Sequence, residues 1–107
     1  MGQAISVNAE NFVSEVLEYP GLVLVDFWGV GCGPCRMLAP IMDQLAAQNL
    51  PNVKIVKVDI YEADEVANHY GISSIPTILV FKNGDVVDQL MGLQSKAKLE
   101  SVIQENS

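Results

Sequence analysis

Positive charge is scarce in this sequence: six lysines and arginines stand against thirteen acids, for a net charge of -7 over 107 residues. That balance repels phosphate backbones and anionic bilayers, so neither nucleic acid nor membrane is expected as a partner. No apolar run reaches the roughly 20 residues that cross a bilayer. The best candidate, Leu22 to Trp28, is interrupted by Asp26. A basic segment followed by an apolar one is missing at the N-terminus, so no secretory signal is read and a cytoplasmic location is expected. Met1-Gly2-Gln3-Ala4-Ile5-Ser6 matches the short myristoylation pattern, but no basic patch supplies a second membrane signal and anchoring is not expected. Repeats, low-complexity tracts and linkers are lacking too, so one domain over residues 1–107 is expected.

Cysteine is equally sparse, with Cys32 and Cys35 as the whole complement. A bridge between them closes so small a loop that it stabilises little, and chemistry explains it better than stapling. A structural zinc site takes four protein ligands, and two cysteines with the lone His69 fall short, so no metal is expected. His69 itself reads as a solvated helix residue. The acidic cluster of Glu62, Asp64 and Glu65 reads as a solvated helix start that complements the dipole.

What is present is patterned. Asn8 can cap a first helix with Phe12, Val13, Val16 and Leu17 on one face, stopped by Pro20-Gly21. Leu22 to Trp28 is apolar on both alternating faces apart from Asp26, as in a central strand covered on both sides. Helical spacing then joins Met37, Leu38, Ile41, Met42 and Leu45, with Met37 and Met42 as core filler and a kink expected at Pro40. Val53 to Asp59 reads as a second buried strand, and Ala63 to Tyr70 as a short helix that Gly71 ends. Thr77 to Phe81 and Val86 to Leu90 are strands joined by Asn83-Gly84, an antiparallel hairpin signal. A last helix starts at Ser95 and buries Leu99, Val102 and Ile103; Ala4 to Val7 is a weaker strand candidate. The crossover from Leu22 to Asp59 requires parallel pairing. The fold class is therefore α/β: a mixed sheet with helices on both faces.

Cys32 falls between a buried strand and a helix, at the carboxyl end of the sheet where open sheets place their sites. The free N–H groups and positive dipole end of that helix stabilise a Cys32 thiolate, while Cys35 lies inside the first turn and is shielded. Cys32 is thus the candidate nucleophile and Cys35 the resolving thiol, in an exchange that passes through a mixed disulfide. Asp26, buried without another role, is the candidate proton acceptor, with a pKa raised by desolvation. Lys57 lies on the matching face of the next strand, and a buried Asp26–Lys57 pair is expected; a purely structural ion pair or a snorkelling lysine is the bland alternative. Gly33 and Pro34 bring no positive charge, which favours a reductant over an oxidant. Alone, C-x-x-C signals metal binding nearly as well. Pro76 after Ile75 marks a turn into a strand, because an interior proline cannot continue a ladder.

Asp26-Phe27-Trp28, Cys32-Gly33-Pro34-Cys35-Arg36, Ala39-Pro40, Lys57-Val58-Asp59, Tyr70-Gly71-Ile72, Ile75-Pro76-Thr77, Phe81-Lys82-Asn83-Gly84 and Gly92 together resemble the thioredoxin family over essentially the whole chain. The resemblance implies the thioredoxin fold, about five strands flanked by four helices. It implies a cis Pro76 beside the cysteines, with the backbone at Ile75 pairing with substrate and Gly92 and Trp28 bordering the groove. It also implies a monomer whose reversible Cys32–Cys35 disulfide needs no bound cofactor. Reducing equivalents would come from NADPH through a flavoprotein, thioredoxin reductase, and pass to disulfide-containing targets. One departure stands out. The family usually carries Trp immediately before the first cysteine, and here that position is Gly31, preceded by Gly29 and Val30. The aromatic rim beside the nucleophile is missing, which is expected to alter partner choice. Ser74, where many relatives have Gly, is a milder change on the same groove. The function expected is a protein disulfide reductase and general electron carrier. A redox-independent scaffold on the same fold, or a specialised form with few partners, is the alternative.

Overall fold

The computed structural model describes residues 3–107. Met1 and Gly2, and with them the start of the myristoylation pattern, lie outside the described residues. Five strands, β1 (Ile5–Ser6), β2 (Leu22–Trp28), β3 (Val53–Asp59), β4 (Thr77–Lys82) and β5 (Asp85–Met91), form one sheet in the order β1-β3-β2-β4-β5. β2 is central and buried over its first six residues, as its two apolar faces require. It pairs parallel with β3 and antiparallel with β4, and β4 pairs antiparallel with β5. Asn83 and Gly84 both adopt positive φ, 53° and 84°, the backbone a tight hairpin needs to match strand twist.

The strand period of two sorts the core into two layers. Leu22, Leu24, Ile55, Ile78 and Val80 face helices α1 (Gly33–Ala47) and α3 (Lys96–Asn106). Val23, Val25, Phe27, Val56, Val58, Leu79 and Phe81 face the opposite side, covered by α2 (Asp64–His69) and a π-helical turn at Val13–Leu17. Asp26 and Lys57 keep the parity of Leu24 and Ile55, so both belong to the α1 side of the sheet. Ser95 caps α3 by accepting from the Lys98 N–H, and Gly71, at φ 66°, follows α2.

Two expectations need correction. The first helix is a five-residue π turn rather than an α-helix running from Asn8, although the Asn8 side chain does accept from Glu10 and Asn11 N–H. Its i→i+5 bond, Glu18 N–H to Val13 O, widens the turn, and Val13 leaves the apolar face for solvent. Met37 is likewise exposed rather than core. The buried stripe of α1 is Cys35, Leu38, Met42 and Leu45, and Met37 lies one residue, about 100° of helix, off that line. The helix runs through Pro40, which leaves the Arg36 carbonyl without its usual donor. His69 is exposed at the end of α2, as expected.

Candidate functional site

Cys32 is the N-cap of α1, in extended backbone with φ -97° and ψ 106°. Its Sγ accepts from the Cys35 N–H at 3.1 Å, so one orphan donor of the helix start is spent on that sulfur. Pro34 sits in the first turn, where its missing N–H removes no helical bond. The two sulfurs are joined in a disulfide, and their surroundings differ. Cys32 is half-buried, whereas Cys35 is only 4% exposed. Of the two residues, Cys32 is thus the more accessible from solvent.

Asp26, which shares a cavity with Cys35, is 4% exposed and has an Oδ1 with no hydrogen-bond partner. Burial pushes its pKa from 3.8 up to about 7, against an opposing pull from the positive charge of Lys57. Lys57 stands directly opposite Asp26 in the parallel register. The expected ion pair is nevertheless not made: the pairs found among the described residues are Lys54–Glu15 and Lys96–Glu100. Register aligns the two Cα atoms but does not direct a four-carbon stem, and half-buried Lys57 acts on Asp26 across space. Asp26, Lys57 and Cys35 line a common cavity of about 310 Å³, walled also by Ala39, Met42 and Asp43 of α1. That is room for several waters, each taking about 30 Å³ in the liquid. Of these wall residues, Ala39 belongs to the family resemblance and Met42 to the helical spacing, whereas Asp43 carried no signal in the sequence.

Just before β4, the Ile75–Pro76 peptide is cis. The Gly92 N–H donates to the Pro76 carbonyl at 2.8 Å, so Gly92 and Pro76 are brought together as expected. Ile75 reaches back to the loop after β2: a Cβ placed on Gly29 would lie 3.0 Å from Ile75 Cδ1 and 2.8 Å from Tyr61 Cε2. Trp28 ends β2 half-buried, its carbonyl accepting from the Ile60 N–H at 2.9 Å.

Gly29 and Gly31 thus serve different needs. Gly29 is required by close approach, whereas Gly31 has φ 79° and nothing within 4 Å of an added Cβ. Any other residue at Gly31 meets a conformational cost rather than a steric one. Gly31→Ala is expected to lower stability by about 1 kcal/mol, read as a lower urea midpoint at unchanged slope; an unshifted midpoint would refute it. The same strain would accompany Gly31→Trp, so that variant tests the loop backbone as well as the rim.

Comparison with known proteins agrees with this geometry. The family model described as Thioredoxin matches residues 3–105. The chain belongs to the thioredoxin family. It is 43% identical over 106 residues to Thioredoxin 1 of Nostoc sp., covering 99% of both chains. To Thioredoxin 1 of Synechococcus elongatus it is 47% identical over 103 residues, covering 96% of both. A solved mutant thioredoxin from Halobacterium salinarum superposes with a TM-score of 0.88 at 30% identity, over 98% of this chain and 91% of that one. Thioredoxins are protein thiol-disulfide oxidoreductases, and this chain carries their fold with its cysteine pair bridged at a helix start. Among the described residues no three or more His, Cys, Asp or Glu side chains cluster so as to hold a metal ion, and no helix is long and apolar enough to cross a membrane.

Proposed function

We propose that this thioredoxin reduces the disulfides of target proteins as a monomeric electron carrier, with the roles of its residues divided by burial. The Cys32 thiolate, favoured by the helix N-terminus, attacks one sulfur of a target disulfide; a Cys32–target bond forms and the other target sulfur leaves as a thiolate. Thioredoxins are themselves a reference case for such thiolate stabilisation. Asp26, its carboxylate free to take a proton near pH 7, accepts the Cys35 proton through the shared cavity. Cys35 then attacks Cys32 Sγ, and the second target sulfur is released. Two electrons have passed from the dithiol to the target, and the Cys32–Cys35 disulfide remains. Lys57 tunes Asp26 as a positioning charge. Gly33 and Pro34 keep the pair reducing. Ile75, Pro76, Trp28, Gly31 and Gly92 line the groove for an extended target segment. An NADPH-dependent flavoprotein, thioredoxin reductase, restores the dithiol, and cytoplasm is the compartment that keeps it reduced.

The observation that carries this reading is the asymmetry of the pair: a half-exposed Cys32 capping α1 and a buried Cys35 that shares a cavity with an unpartnered acid. Pre-reduced protein is expected to reduce insulin stoichiometrically, and the Cys32→Ser, Cys35→Ser double variant to have no such activity. Retained biological activity in that double variant would favour a scaffold role instead. Equilibration with glutathione is expected to place the pair on the reducing side, where each 30 mV corresponds to about 1.4 kcal/mol.

A further inference from the structure

We propose that Tyr61 is a target-recognition residue of this site, its ring receiving an apolar side chain next to the target's disulfide. The inference rests on the disulfide-reductase reading above and goes beyond it by supplying an aromatic contact where Gly31 leaves none.

Tyr61 is 65% exposed, yet its backbone is held in place. Its N–H donates to Asp59 Oδ1 at 2.9 Å, and the preceding Ile60 N–H donates to the Trp28 carbonyl at 2.9 Å. The backbone beneath the ring is thereby tied both to the end of β3 and to the end of β2, the strand that leads to Cys32. The ring lies over the Cα of Gly29 beside Ile75 Cδ1, in a space that a single Cβ would fill. Ile75 belongs to the proposed groove, so the Tyr61 ring is a wall of that groove.

Next to Gly29 in the chain, Val30 is 71% exposed. A rigid aromatic with two χ angles, beside exposed aliphatic surface, is the type of group that dominates interface energy at little entropic cost. The chemistry of the wall selects an apolar side chain on the target segment. Gly29 is then the complement of Tyr61: its missing side chain seats the ring.

The test follows single-turnover oxidation of pre-reduced protein by Trp28 fluorescence, with insulin and with bis(2-hydroxyethyl) disulfide as oxidants. The second is a small disulfide with no peptide segment and no neighbouring side chain to present to the ring. Tyr61→Ala is expected to raise the half-saturating insulin concentration about tenfold with little change in limiting rate, and to leave the small disulfide's rate within about twofold. Tyr61→Phe is expected to retain insulin recognition. Gly29→Ala, by displacing the ring, is expected to raise the insulin requirement similarly, and to add little to Tyr61→Ala in a double variant. Equal insulin saturation in Tyr61→Ala and wild type would overturn the proposal, as would an equal loss toward both oxidants. Wild-type protein that fails to reduce insulin at all would instead remove the disulfide-reductase reading.

Discussion

Asp26→Asn is expected to stabilise the oxidised protein by about 3–4 kcal/mol at pH 9 and to change it little near pH 4. The sign comes from proton linkage. A carboxyl held at about pKa 7 in the fold, against 3.8 ordinarily, binds its proton more tightly folded than unfolded. Below about pH 4 both states are protonated, and burial of Asp26 carries no ionisation penalty. As pH rises from about 4 to about 7 the unfolded chain loses the proton first, and stability falls by up to about 1.36 kcal/mol per pH unit. Above about pH 7 the folded carboxyl is also ionised and the loss levels off. A rise of roughly three units sets the scale at about 4 kcal/mol, reduced somewhat by water entering the cavity. Asn keeps the shape of the protonated acid and cannot ionise, so the wild-type-minus-variant difference isolates the charge. Urea unfolding of both proteins in the disulfide form, from pH 4 to pH 9, checks this. Parallel pH profiles would show that Asp26 is solvated and that its proposed place in proton transfer is wrong.

The same acid shows how far the sequence could be read. A single charge in an otherwise apolar Leu22–Trp28 run marks a buried group, because a strand covered on both faces turns every side chain toward a core layer. The central position of β2, the Asn83-Gly84 hairpin and the inequality of Cys32 and Cys35 follow from equally local rules. Features that depend on where a flexible side chain ends were less legible. Lys57 stands opposite Asp26, yet no ion pair forms, because register places backbones and not ammonium groups. Spacing alone puts Val13 and Met37 in the core, and a widened π turn in one case and an offset of about 100° in the other turn them outward. Tyr61 gave no signal. A lone aromatic in a loop has no period, and its seat on Gly29 depends on contact between segments 32 residues apart. Gly31 was recognisable as an absent side chain, but its left-handed backbone was not.

Cys35→Ser is expected to convert the transient Cys32–target disulfide into the end product. In the wild type the resolving sulfur is built into the same helix turn, and well-oriented intramolecular groups act at effective concentrations far above any solution thiol, on the order of 10⁵ M or more. A hydroxyl in its place is not ionised near neutral pH and does not attack sulfur, so release falls to exchange with external thiols at millimolar concentration. Turnover is expected to drop on the order of a thousandfold or more, while the first attack by Cys32 keeps its rate within a few-fold because the α1 N-terminus is unchanged. Mixing the variant with excess insulin and resolving the products by non-reducing mass spectrometry should show near-stoichiometric adduct on Cys32, reversed by dithiothreitol. Cys32→Ser, which leaves the buried Cys35 as the remaining thiol, should give almost none. An adduct that forms as readily on Cys35 would contradict the division of roles, because burial, not the motif, is what separates the two sulfurs. The trapped targets would also report on Tyr61: if its ring reads an apolar neighbour, the proteins captured by Cys35→Ser alone should carry such residues beside their cystines, and combining it with Tyr61→Ala should reduce their yield.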